Sequence, residues 1–176
     1  LGIRSGTVNE AGDHPGLAHL VEHMLFKGCE KRSADSINNR LERLGGELNA
    51  YTAKEETVIY ATVLREDLPK ALDLIMEIAF TSTFDAVQLA KEKSVVADEI
   101  NMCKDTPSDQ IFDDFEEYLF SGHPLSRKIL GTTASLKKIT PEHIKDYVRR
   151  YFRPENMNVS VVGDFDARAV ERMVER

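Results

Sequence analysis

Long apolar runs, cysteine and positive charge are all scarce in this chain of 176 residues, and each shortage excludes something. No stretch approaches the roughly 20 consecutive apolar residues that a bilayer-spanning helix needs, so no membrane span is expected. Two cysteines, Cys29 and Cys103, cannot build a disulfide framework, and neither sits in a C-x-x-C pair. They read as ordinary thiols, although both flank the motif below in sequence, where thiol modification would impair it. The cysteine usage favours a reducing compartment such as the cytoplasm, with periplasmic or mitochondrial settings left open. Lysine and arginine total 23 against 30 aspartates and glutamates, a net charge of −7. That balance argues against general nucleic-acid binding, which requires a basic face. It suits a protein that keeps anionic side chains for a metal ion or for cationic peptide segments. Internal repeats, linkers, low-complexity tracts and a signal-peptide pattern are also missing. The chain opens at Leu1 and not at methionine, as a fragment or a processed product does.

A chain of this length makes about one domain with a real core. Asp13-His14-Pro15-Gly16 reads as a turn with proline placed to open a helix. Leu17, Leu20, Val21, Met24 and Leu25 form a helical stripe from Gly16 to about Lys27, closed by Gly28. Ser33 to Leu44 reads as a second helix, ending at Gly45-Gly46. Glu47–Thr52 and the β-branched run Thr57–Leu64 form a strand pair around a polar turn at residues 54–56. Helices are expected from about Asp67 to Phe80, Ala86 to Lys104 and Pro107 to Phe120, the last very acidic. Thr140-Pro141 starts another through Tyr151. Residues 157–162 read as a strand, and Asp166 starts a terminal helix. The pattern is α+β, a mostly antiparallel sheet backed by helices.

One short run carries chemistry. His19-Leu20-Val21-Glu22-His23 sets two imidazoles one helical turn apart, so both can grip one metal ion. Glu22 lies beside that position, free to handle a proton. This is the inverted form, H-x-x-E-H, of the zinc-peptidase signature H-E-x-x-H. The bland alternative is coincidence on an amphipathic helix. A catalytic zinc wants a third protein ligand and an open fourth position. Glu92 and Glu99 lie on one face of a later helix, and either fits; two glutamates on a helix can equally be solvated surface. Spacing does not choose between them.

The run Gly16 to Gly28 resembles the active-site helix of the insulinase/pitrilysin family of zinc metallopeptidases, which includes the mitochondrial processing peptidase. The run Glu92 to Ile100 is similar to that family's ligand helix. Gly46 to Thr52 with Glu56-Thr57 and Tyr60, Gly122 to Leu125 through Gly131-Thr132, and Asn156-Met157 through Gly163-Asp164 are likewise similar. Cys29 stands where threonine is frequent, and Asp98 where glutamate is; neither removes a ligand.

The resemblance implies one zinc ion held by His19, His23 and Glu99, with 75 residues lying between His23 and Glu99. It implies Glu22 as general base and Glu92 as a support behind the ligands. Asn49 and Ala50 would bind an extended peptide at a sheet edge, although Asn49 also reads as an ordinary edge residue. Asp109 and Asp113 would meet a basic residue near the cut, although they also read as a solvated acidic face. His14 and His123 read as turn or core histidines. Residues 1–176 would form a truncated N-terminal catalytic domain, with a second peptidase-like domain or subunit completing the substrate chamber. The function implied is a zinc-dependent endopeptidase acting on peptides or unfolded segments. Two alternatives stay open. One is a catalytically incomplete subunit serving as a scaffold. The other is an S-ribosylhomocysteine lyase-like enzyme, which shares H-x-x-E-H and takes a cysteine ligand, here Cys103.

Overall fold

The computed structural model describes residues 1–10, 12 and 14–175. In chain order its elements are β1 (Gly2–Ile3), α1 (Leu17–Leu25), β2 (Gly28–Cys29), β3 (Arg32–Ser33), α2 (Ala34–Glu42), β4 (Glu47–Thr52), β5 (Thr57–Thr62), α3 (Leu68–Thr81), α4 (Ala86–Asp105), α5 (Pro107–Leu119), α6 (Thr133–Lys138), α7 (Pro141–Tyr151), β6 (Met157–Asn158) and α8 (Ala167–Val174). The main sheet runs β4-β5-β1-β6 with every neighbouring pair antiparallel, so β4 is an edge strand. β2 and β3 make a separate small hairpin. Helices α1, α2 and α3 cover one face of the β4–β5 pair, and Tyr51 and Tyr60 stay exposed with ring centroids 6.5 Å apart. The α+β architecture expected from the pattern is the one found.

Helix α1 is the centre of the core. It packs against α4, α7 and β4, and six of its nine residues, Leu17, Ala18, Leu20, Val21, Met24 and Leu25, are buried. A helix walled on several sides must be apolar nearly all round. Helix α4 opens at Asp85, whose carboxylate accepts from Val87 N and Gln88 N at 2.9 and 3.0 Å, and it buries Leu89, Glu92, Val96 and Ile100. A glutamate in that stripe needs a partner, because an uncompensated buried carboxylate is costly.

Helix α5 is built inside out. Its half-buried inner face carries Gln110, Asp113 and Glu116, while Ile111, Phe112, Phe115, Tyr118 and Leu119 face solvent. The surface beneath offers cations in place of an apolar bed. Lys54 Nζ lies 2.9 Å from Glu116, and Lys128 Nζ lies 2.9 Å from Asp114 and 3.5 Å from Glu117.

Three expectations need correction. The strand read over residues 157–162 pairs only at Met157–Asn158, because its partner β1 contributes just Gly2 and Ile3. The strand from Thr57 ends at Thr62, two residues early, and a short 3₁₀ turn follows at Arg65–Asp67. Gly28 does not close α1: Phe26 is the cap, and Gly28 (φ 135°) starts the β2–β3 hairpin, which was not foreseen, nor was α6. Of the turn at 13–16, Asp13 lies outside the described residues.

Candidate metal centre

The three residues of α1 that keep contact with solvent are His19, Glu22 and His23. Offsets of three and four put them on one stripe, the gap in an otherwise buried helix. The imidazole centroids are 4.6 Å apart. Across from them stands α4, with Glu99 Oε2 3.8 Å from His19 Nε2 and Glu99 Oε1 3.6 Å from His23 Nε2. Ligand atoms of the three residues all lie within 4.8 Å of one another. Both histidine–glutamate separations are shorter than twice a zinc–ligand bond of roughly 2.1 Å, so one ion can bridge them. Burial, and then the neighbouring His23, lower the His19 pKa to about 4, which keeps it neutral as a ligand must be. The donor set therefore fits a single zinc ion, with Glu99 at the half-exposed side where an open coordination position is needed.

The two glutamates of α4 part company here. Glu92 turns away from the ligand cluster. Its Oε2 is 3.1 Å from His23 Nδ1 and its Oε1 is 2.9 Å from Lys27 Nζ. With Nδ1 as the donor to Glu92, His23 presents the lone pair of Nε2 to the metal position. His19 has no such support: its Nδ1 is buried and meets no hydrogen-bond partner among the described residues. Cys103 is one turn past Glu99 and stays outside the cluster. Burial first, then Asp113 and Asp109, raise its thiol pKa.

Glu22 sits beside the cluster with its Oε2 accepting from Thr52 Oγ1 at 2.5 Å. Burial raises its pKa above the usual carboxylate value; Thr52 and His23 oppose that rise and Glu99 adds to it. A carboxyl shifted upward near a metal position is suited to taking and returning a proton.

Asn49 and Ala50 lie on edge strand β4. Ile59, the partner of Ala50, spends its own N–H and C=O on Leu1. The N–H and C=O of Ala50 therefore point off the free edge. Asn49 Oδ1 covers that amide at 2.8 Å. Asp109 is exposed in the first turn of α5, and Asp113 is half-buried on its inner face, its pKa raised chiefly by burial. Among the described residues neither aspartate belongs to the ligand cluster, and Asp109 Oδ1 accepts from Ser108 Oγ at 3.4 Å. The ring of His14 lies against that of His143, tilted by 52° with centroids 4.0 Å apart, and His123 Nδ1 accepts from Leu125 N at 3.2 Å.

Two contributors escaped the sequence reading. Lys27 was within reach of it, four residues after His23. Thr52 was not, because only the β4 register brings it beneath Glu22.

Two imidazoles and a carboxylate around one position able to hold a metal ion, with a second carboxylate alongside, sit on an α+β domain. The model for Insulinase (Peptidase family M16) matches residues 1–133, and that for Peptidase M16 inactive domain matches residues 138–176. The chain belongs to the insulinase family, peptidase family M16. It is similar to the uncharacterized zinc protease YmxG of Bacillus subtilis, 38% identical over 162 residues, and to an uncharacterized zinc protease of Rickettsia felis, 34% identical over 171 residues. Those alignments cover 92% and 97% of this chain but 40% and 42% of the relatives, so the chain spans about two-fifths of their length. A protease from Helicobacter pylori superposes with a TM-score of 0.93 at 26% identity, covering 99% of this chain and 42% of that one. The periplasmic protease PqqL from Escherichia coli shares the fold at 24% identity with a TM-score of 0.88, covering 99% of this chain and 20% of that one.

Proposed function

We propose that this chain is the metal-binding, base-bearing part of a zinc-dependent endopeptidase acting on peptides or unfolded segments. The observation that carries the reading is the His19–His23–Glu99 cluster with Glu22 at its side. His19, His23 and Glu99 would hold one zinc ion, which when bound would supply a Lewis acid able to lower the pKa of bound water and polarise the scissile carbonyl. Glu22 takes the proton of the attacking water and delivers it to the leaving amine. Thr52 holds Glu22 in place for both transfers. Glu92 and Lys27 fix the ring of His23.

The substrate lies along β4, adding a strand to the free edge. Its backbone displaces the Asn49 amide oxygen from Ala50 N and takes that hydrogen bond itself. Asp109 and Asp113 favour a basic residue near the cut; reversing both charges should then change the cleavage pattern, and an unchanged pattern refutes this part. A second peptidase-like domain or subunit completes the chamber.

The test measures zinc content and peptide cleavage for this chain and for a longer parent polypeptide, each beside Glu22→Gln. The expected result is full zinc occupancy with cleavage lost in the variant. Cleavage that survives Glu22→Gln, or a wild type that binds no zinc, overturns the reading.

A further inference from the structure

Glu10 lies in the loop before α1, only 5% exposed, outside every motif considered above. Its Oε1 accepts from Ala18 N, in the first turn of α1, at 2.9 Å, and the Gly16 and Leu17 amides also act on the carboxyl. That position has a reason. The residue preceding α1 is Gly16 at φ 89°, which has no side chain with which to cap the helix. Nor can it be replaced by a better capping residue, since a Cβ there would come within 2.6 Å of Leu130 O. Helices α2, α4, α6, α7 and α8 are capped by the residue next to their first turn, Ser33, Asp85, Thr132, Thr140 and Asp166. In α1 the acceptor comes instead from eight residues upstream of Ala18.

The loop that delivers it is pinned. Arg127 Nη1 donates to Glu10 O at 2.7 Å and to Thr7 O at 3.3 Å. Tyr147 OH donates to Gly6 O at 3.0 Å and accepts from Ser5 Oγ at 2.6 Å. The charged and titratable groups that act on Glu10 are thus Arg127 and Tyr147. Ala18 is followed at once by His19, so a shift of the first turn is passed directly to the ligands.

We infer that Glu10 is a positioning residue for the metal helix, replacing the cap that Gly16 cannot supply and fixing the height at which His19 and Glu22 meet Glu99 and Thr52. The catalytic consequence rests on the peptidase reading; the mechanical one does not. A carboxyl at a helix N-terminus is favoured by both the free amides and the helix dipole.

The experiment compares Glu10→Ala and Glu10→Gln with the wild-type chain and with Ser33→Ala, a cap deletion on α2 remote from the metal. Zinc affinity is read by competition with a chromophoric chelator at matched folded fraction, and exchange of the Ala18 amide by NMR. Glu10→Ala should weaken zinc binding by roughly threefold to thirtyfold, the factor that goes with loss of one cap, and speed Ala18 exchange. In the parent enzyme it should lower kcat more than it raises KM. Glu10→Gln, which keeps an acceptor oxygen without the charge, should fall between the two. Ser33→Ala should lower the melting temperature with zinc affinity unchanged. If Glu10→Ala merely lowers the melting temperature, with wild-type zinc affinity and Ala18 exchange, the inference is wrong. A wild type that binds no zinc defeats the peptidase reading, and Ala18 exchange still decides the role of Glu10.

Discussion

His19 and His23 share a motif but not a setting. His23 is braced at Nδ1 by the Glu92–Lys27 pair, whereas Nδ1 of His19 meets no hydrogen-bond partner among the described residues. Removing the brace by Lys27→Met or Glu92→Gln should weaken zinc binding by about 10- to 100-fold, the usual effect of losing a partner behind a ligand; calorimetric titration checks it. Glu22→Gln should cost roughly 10²- to 10⁴-fold in turnover, the range for a general base, with zinc content unchanged. Glu10 makes a separate prediction about pH. Its pKa is raised from 4.5 to about 7, because burial outweighs the amides and Arg127. The folded chain therefore binds that proton more tightly than the unfolded chain. The associated stability is complete below pH 4.5 and disappears as pH rises toward 7, at about 1.4 kcal/mol per unit. Denaturant melts across this window should show the wild type losing stability and Glu10→Gln losing less; parallel curves would contradict the assignment. The two histidines and Glu22 were legible because a helix turns their spacing into proximity. Glu10 and Thr52 were not, since a loop glutamate and a strand threonine gain meaning only from what folds against them.

At the scale of elements, long periodic helices were the readable part. α3 and α4 begin and end within a residue or two of where apolar spacing and caps put them. α6, six residues between Thr132 and Ile139, is too short for any period to register. The strand expected at 157–162 pairs only at its first two residues, because strand propensity marks a segment able to pair while the pairing itself needs a neighbour of equal length. α5 offers its own test. Phe112 is 71% and Phe115 58% exposed, so neither holds the fold together. Phe112→Asp with Phe115→Asp should leave the folding stability, read from thermal melts, within about 1 kcal/mol of the wild type, as surface changes do. A cooperative collapse of the fold would show that the face is buried in solution.

For the molecule as a whole, a zinc ion held as proposed would also cross-link α1 and α4, because the candidate ligands come from both. Free zinc at 100 times its dissociation constant should stabilise the folded chain by about 2.7 kcal/mol. Scanning calorimetry with and without a chelator should show that difference in the wild type and not in Glu99→Gln. The edge position of β4 has a wider consequence. Once Asn49 Oδ1 releases the amide, the N–H and C=O of Ala50 offer hydrogen bonds that a polypeptide could satisfy, provided its own backbone is not already engaged in helix or sheet. If substrate docks there as proposed, recognition along the strand backbone would sort targets by folding state more than by sequence. When opening of a target is fast compared with cutting, its cleavage rate follows the fraction of time spent open. A target destabilised by 1 kcal/mol would then be degraded about fivefold faster without any change in the residues at its cleavage site.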